Sequence, residues 1–241
     1  MKRLSQADLE KMRQDFVANV SHELRTPLTV LRGYLEMFLD KPAPELAAWQ
    51  AIFSKMNLQA IRMEHIIEDL LLLSRLETDL PTATTWERIS IPTLLSHIQE
   101  DAIALSGEKH HKISLDITGP KLFQGKKSEL LSAFSNLVFN AVHYTPPRSH
   151  IGMSWYQDGE GIHFAVKDTG IGIAAKHIPR LTERFYRVDP GRTRETGGTG
   201  LGLAIVKHVL IRHHALLHIE SKVGKGSLFR CDFPLPKKSD K

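Results

Sequence analysis

A seven-residue repeat constrains the fold of this chain more than any other feature. Trp49, Met56, Met63 and Leu70 make one row, and Ile52, Gln59, Ile66 and Leu73 make another. Such rows share one face of a long helix. Upstream, Met12, Phe16, Val20, Leu24, Leu28, Leu31, Leu35 and Phe38 recur every three or four positions and predict a first helix. Between the two, Asp40-Lys41-Pro42-Ala43-Pro44-Glu45 reads as a helix stop followed by a helix start. Two helices joined by so short a loop make an antiparallel hairpin. A lone hairpin leaves a wide apolar surface uncovered. Either a second copy of the chain buries it as a four-helix bundle, or the helices pack on the rest of the same chain. The long heptad-like stripe favours the dimer.

The periodicity then changes. Residues 80–87 read as a linker, and from Arg88 the apolar residues alternate in short runs. Strands are predicted at Lys112–Thr118, His150–Gln157, Gly161–Asp168, Leu216–Ser221 and Ser227–Pro234, and helices at Thr93–Leu105, Ser128–Tyr144 and Leu201–His213. Mixed strands and helices in a segment of this size predict a two-layer α/β sandwich. The expected organisation is α+β: a helical domain over 1–79, the linker, a sandwich over 88–236 and a polar tail over 237–241.

Composition excludes several classes. The 32 Lys and Arg against 27 Asp and Glu give a net charge of +5, and the basic residues are scattered, so direct nucleic-acid binding is not expected. Phosphate chemistry or an acidic protein partner fits this balance. A single cysteine, Cys231, rules out an internal disulfide and points to a reducing compartment. No apolar run approaches the ~20 residues that span a bilayer, and no signal-peptide pattern follows Met1, so the stretch in hand is expected to be soluble.

Four strings carry chemistry. In the first helix, Phe16-Val-Ala-Asn-Val-Ser-His22-Glu23-Leu-Arg25-Thr26-Pro27-Leu28 sets a histidine beside an acid. A neutral imidazole is nucleophilic at one nitrogen when an acceptor holds the proton on the other, and Glu23 is placed to be that acceptor. Thr26 follows one turn later on the face of His22. Its hydroxyl either positions a water or bonds back to the carbonyl four residues earlier. Pro27 costs about 3 kcal/mol in an ordinary helix interior and sits beside the reactive group. Taken alone, His22 is one of 13 histidines and reads as a solvent-facing residue.

The second string, Asn136-Leu-Val-Phe-Asn140-Ala-Val-His143-Tyr144-Thr145, places Asn136 and Asn140 on one helix face. Amide oxygens are hard ligands that suit Mg²⁺, although two surface asparagines would look the same. In the third, Asp168-Thr169-Gly170-Ile171-Gly172-Ile173, an acid at a strand end can accept from an exocyclic amine while the glycines let the backbone approach a base. A plain strand-to-loop turn is the other reading. The fourth, Gly197-Gly198-Thr199-Gly200-Leu201-Gly202, opens an amphipathic helix and offers N–H groups to phosphate, or is a flexible turn. Its spacing and late position do not fit a dinucleotide fold.

Together these strings resemble the sensor histidine kinases of two-component systems, in that family's order, from about Phe16 to Pro234. His22, Glu23 and Thr26 match the phosphoacceptor box. Asn136, Asn140, His143 and Tyr144 match the N box, with Asn140 at the Mg²⁺ position and histidine where the family usually has lysine. Asp168, Gly170, Gly172 and Ile173 match the adenine-binding box. Gly198, Thr199, Gly200, Leu201 and Gly202 match the second glycine box. Gly224-Lys225-Gly226-Ser227 resembles a third, and a hairpin turn explains it equally well. Leu181 to Asp189 resembles the F box, with Thr182 where many members have phenylalanine; Arg187 either reaches the γ-phosphate or is a surface arginine.

The resemblance implies a dimeric four-helix bundle joined to an ATP-binding sandwich of the Bergerat type, shared with gyrase and the heat-shock ATPase Hsp90. It implies ATP and Mg²⁺ as cofactors, a response regulator as partner, transfer of phosphate to His22 and then to the regulator, and phosphatase activity on that regulator. It also implies sensor and membrane segments ahead of residue 1, which would anchor the full-length protein in the inner membrane with this part in the cytoplasm. An ATPase of the same fold that never phosphorylates itself, and a non-catalytic scaffold, remain as rivals.

Overall fold

A computed structural model describes residues 20, 24–36, 46–78, 86–188 and 199–235. The chain divides into two compact units, Met1–Leu72 and Leu73–Lys241. In the first, helix α1 is described over 24–36 and runs through Pro27, and α2 spans Leu46–Thr78. Leu31 of α1 shares a depression with Ala60, Met63 and Ile67 of α2, so the two helices lie side by side. The heptad rows are partly covered within the single chain: Ile66 is fully buried, and Ile52, Met56, Gln59, Met63 and Leu70 are half-buried. The apolar side chains left exposed on α2 are others, Phe53, Leu58, Ile61, Ile67 and Leu71. No helix among the described residues is long and apolar enough to cross a membrane.

The second unit is the α/β sandwich. After the end of α2 its elements are β1 (Glu87–Ser90), α3 (Ile91–Ser106), a 3₁₀ turn (Gly107–Lys109), β2 (Lys112–Ile117), β3 (Leu122–Gly125), α4 (Lys127–Tyr144), β4 (His150–Gln157), β5 (Ile162–Asp168), a 3₁₀ segment (Ala175–Arg180), α5 (Gly202–Arg212), β6 (Leu216–Lys222) and β7 (Gly226–Phe233). Strand order in the main sheet is β2-β4-β5-β7-β6, with β2 and β4 parallel and the other neighbours antiparallel. β1 and β3 form a separate antiparallel pair. The five expected strands and three expected helices of this half form within two residues of their predicted ends. The two four-residue strands β1 and β3 carried no sequence signal, because four residues are too few to display alternation.

One sheet face carries the core. Ile151, Met153 and Trp155 on β4, Phe164 and Val166 on β5, and Phe229, Cys231 and Phe233 on β7 alternate inward and are buried. They meet Leu130, Phe134, Leu137 and Val138, spaced three and four apart on α4, which are buried too. Phe134 stacks on Phe164 with centroids 4.1 Å apart, and Trp155 donates its Nε1–H to Pro120 O at 2.9 Å.

Two buried histidines tie the unit together with opposite charge requirements. His163, 3% exposed at the start of β5, has Asp232 Oδ1 2.7 Å from Nδ1 and Asp158 Oδ1 3.0 Å from Nε2. Burial works to lower its pKa, but the two carboxylates outweigh it and the net shift is upward. His213 is placed to donate from Nδ1 to Val209 O at 2.8 Å while its Nε2 accepts the Lys126 N–H at 3.2 Å, which requires the neutral ring; burial lowers its pKa. The His163 contribution is full below the ordinary histidine pKa and is lost as pH rises through the raised folded value. The His213 contribution is present above the ordinary value and is lost as pH falls. Denaturant unfolding followed between about pH 5 and pH 9 is expected to show stability falling at both ends. His163→Gln flattens the alkaline side and leaves the acid side in place.

Candidate active site

One end of the sandwich gathers most of the predicted residues. The apolar stripe of α4 faces the sheet, which turns Asn136 and Asn140, one helical turn apart and half-buried, away from it. Asn136 Nδ2 donates to Ser132 O at 2.9 Å. Its Oδ1 lies against the first residue of α5: any Cβ on Gly202 would overlap that oxygen. Gly202 is therefore needed for close approach, and the N box and the second glycine box meet there. Leu201, the residue before α5, donates its N–H to Thr199 Oγ1 at 3.1 Å, which fixes the approach to α5 without a side-chain cap on the helix itself. The following first-turn N–H groups have no intrahelical acceptor and suit an anion.

Asp168 ends β5, 7% exposed, with Oδ1 accepting the Gly170 N–H at 2.7 Å. Burial raises its pKa, and N–H bonds from Gly170 and Ser227 act against that rise. A Cβ on Gly170 would stand 2.6 Å from Tyr144 O and 2.7 Å from Asp168 Oδ1, so glycine lets this loop close on the end of α4. Ile171 donates its N–H to Tyr144 O at 3.3 Å. Gly172, at φ +67, lies so close to the Lys222 carbonyl that a Cβ there would overlap it. Ile173 donates its N–H to Ser221 Oγ at 2.8 Å, and Gly224 donates to Ile171 O at 2.8 Å. Gly224-Lys225-Gly226 is thus the β6–β7 hairpin turn, and that turn also bonds the Asp168 loop.

The remaining residues surround the α4 terminus. Burial and then the charge of Lys109 lower the pKa of His143. Burial raises that of Tyr144, against which Arg187 acts in the opposite direction, so Arg187 stands near the phenol. Phe185, in the left-handed region at φ +60, donates its N–H to Gly200 O at 2.9 Å and joins the F box to the second glycine box. Sequence reasoning missed Thr145 as a site residue. Its Oγ1 is buried and lacks a hydrogen-bond partner, 3.2 Å from where a Gly170 Cβ would be. No sequence signal marks it, because its orphaned state depends on the loop folded over it. Thr26 is exposed on α1 in the first unit. His22, Glu23 and Gly198 lie outside the described residues.

Comparison with known proteins adds two family matches. Residues 12–79 match the His Kinase A (phospho-acceptor) domain, and residues 125–237 match the histidine kinase-, DNA gyrase B-, and HSP90-like ATPase family. The chain belongs to the sensor histidine kinases. It is 56% identical over 226 residues to the phosphate regulon sensor protein PhoR of Pseudomonas aeruginosa, covering 93% of this chain and 51% of that protein. With PhoR of Haemophilus influenzae it shares 42% identity over 226 residues, 94% of this chain and 52% of that one. The chain thus spans about half the length of these relatives. Among solved structures, the Acinetobacter baumannii histidine kinase AdeS shares the fold, with a TM-score of 0.69 at 20% identity over 90% of this chain and 98% of that one.

The two crowded glycines separate folding from binding. Gly172→Ala meets backbone and needs a left-handed φ, so it should destabilise the chain by more than about 1 kcal/mol in denaturant unfolding. Gly202→Ala meets only the movable amide of Asn136. It should leave unfolding nearly unchanged while weakening ATP binding in a calorimetric titration.

Proposed function

We propose that this chain is the catalytic core of an ATP-dependent protein-histidine kinase that phosphorylates its own His22 and passes the phosphoryl group to an aspartate of a response regulator. The observation that carries this reading is the convergence of Asn136, Asn140, Asp168 and the start of α5 at one end of a sandwich that follows a phosphoacceptor box. The chemistry of the site suits ATP. Asp168 offers a buried acceptor for the adenine amine, the orphaned Thr145 hydroxyl lies beside it, and the α5 N-terminus is complementary to phosphate. The oxygen of Asn140 would hold Mg²⁺, a hard cation that would partly neutralise the charge of the phosphates. His143 and Arg187 would border the phosphates and Tyr144 the base. Gly198, Thr199, Gly200, Leu201 and Gly202 would form the wall that receives the triphosphate.

In the proposed reaction one ring nitrogen of His22 bonds to the γ-phosphorus as the bond to the β–γ bridging oxygen breaks, and ADP leaves. Glu23 accepts the proton on the other ring nitrogen. The phosphorus–nitrogen bond then breaks as a regulator carboxylate attacks. Most of the rate comes from positioning and charge stabilisation.

The domain assignment is a helical phosphotransfer domain over 1–79 and a catalytic domain over 88–236. The exposed apolar residues of α2 support pairing with a second copy in a four-helix bundle. The likeness to PhoR supports phosphate-starvation signalling, with a DNA-binding phosphate-regulon regulator as partner. The likeness to these sensor proteins supports a full-length protein with sensor and membrane segments, anchored in the inner membrane. Thr26, exposed one turn after His22, would position water for dephosphorylation of the regulator.

Incubation with γ-labelled ATP should put acid-labile label on the wild type and none on His22→Ala. Turnover without label would identify an ATPase, and neither signal a scaffold. Asp168→Asn should weaken ATP binding roughly ten- to hundred-fold by calorimetry, the worth of a hydrogen bond to a charged group. Thr26→Ala should keep labelling of His22 and slow loss of phosphate from purified phospho-regulator by on the order of ten-fold. Equal decay rates would leave Thr26 with a helical role alone.

A further inference from the structure

The end of α4 is held by groups from outside the helix. Lys109 Nζ donates to Val142 O at 2.9 Å and to His143 O at 3.1 Å. These are carbonyls of the last turn, which lack intrahelical partners. Tyr144 O takes the Ile171 N–H, while His111 Nε2 lies 3.0 Å from Thr145 O and 3.1 Å from Pro146 O. Lys109 comes from the 3₁₀ turn after α3, distant in sequence from α4, and that turn is itself fixed. Its carbonyl accepts the Arg148 N–H at 2.8 Å, the His110 N–H bonds Gly107 O at 3.2 Å with His110 at φ +50, and the His111 N–H donates to the buried Ser106 Oγ at 2.9 Å.

An ammonium suits this place for two reasons. It carries three donors and can satisfy two carbonyls at once, and its charge meets the negative end of the helix dipole. The turn it grips carries His143 and Tyr144, followed by Thr145, and through Ile171 it adjoins the Asp168 loop. A small rotation of this turn would move every one of those groups against a bound nucleotide.

We propose that Lys109 is a positioning residue for the nucleotide: by clamping the Val142 and His143 carbonyls it fixes the end of the N box in register with the Asp168 loop. The inference rests on reading this site as an ATP site. Lys109 would touch no substrate atom, and its effect would pass through the backbone of α4. It therefore acts on binding of the base and phosphates rather than on transfer from a correctly bound nucleotide.

The test measures ATP affinity by calorimetry, KM and kcat of autophosphorylation, and thermal melting, on the whole chain. Lys109→Met should raise Kd and KM for ATP roughly three- to thirty-fold with kcat within about two-fold, since a displaced binding group costs affinity first. Lys109→Arg keeps charge and donors and should recover at least half of the loss. Unchanged Kd and KM with a lowered melting temperature would overturn the proposal and leave a structural lysine. So would a fall in kcat at unchanged KM, or an Arg variant no better than Met. Should Lys109→Met not fold, Lys109→Gln carries the same measurements. A wild type that binds no ATP would overturn the underlying ATP reading, a result separable from one in which the wild type binds and the variants bind equally well.

Discussion

The seating of α4 on the sheet governs the rest of the second unit. Phe134 stacks on Phe164, and Trp155 and Phe233 close around them. Full burial of an aromatic side chain of this size contributes about 1.5–3 kcal/mol, so several together fix the rotation of the helix about its axis. Once that rotation is set, the helical period leaves Asn136 and Asn140 no choice of direction. The same contact sets the level of α4 along β5, and so brings Tyr144 to the strand end where Asp168 sits.

From that contact outward the site is assembled mainly by backbone. Tyr144 O receives Ile171, Ile171 O receives Gly224, and Phe185 bonds to Gly200. These links join segments far apart in the chain, and each relies on a residue that allows close approach or a left-handed φ. Glycine serves at Gly170, Gly172 and Gly202 because a side chain there would strike a carbonyl or an amide. Asp168 gains a buried carboxylate from this arrangement, with backbone N–H groups offsetting part of the desolvation. The two buried histidines away from the site show the same economy. His163 is held between carboxylates and His213 between a carbonyl and an N–H, and each environment selects one protonation state.

The helical unit follows a different logic. Its two helices satisfy their own backbone hydrogen bonds, so the remaining question is where the apolar side chains go. Ile66 is buried and Met63 and Leu70 beside it in the heptad rows are half-buried, while Phe53, Leu58 and Leu71 stay exposed. The rows read from sequence are thus only partly covered within one chain, and the exposed flank beside them adds to the apolar surface left for a partner.

The sequence by itself determined the class of each half, the order of the elements and the residues that are proposed for the site. Helices and strands impose different apolar periods, and the residues proposed to handle ATP keep a local spacing that can be read without a structure: Asn136 with Asn140, Asp168 with Gly170 and Gly172, Gly200 with Gly202. The tertiary structure decided what no local spacing encodes. β1 and β3 exist because each pairs with the other, not because either has a pattern. Thr145 is orphaned only once the Asp168 loop covers it, and the Gly224 turn bonds that loop only after the sheet has formed. No motif marks Lys109 among the scattered basic residues, and its bonds to Val142 O and His143 O exist only because α4 ends beside it. In each case the deciding contact joins residues that sequence separates widely, and its energy depends on burial and geometry that exist only after the chain has closed on its core.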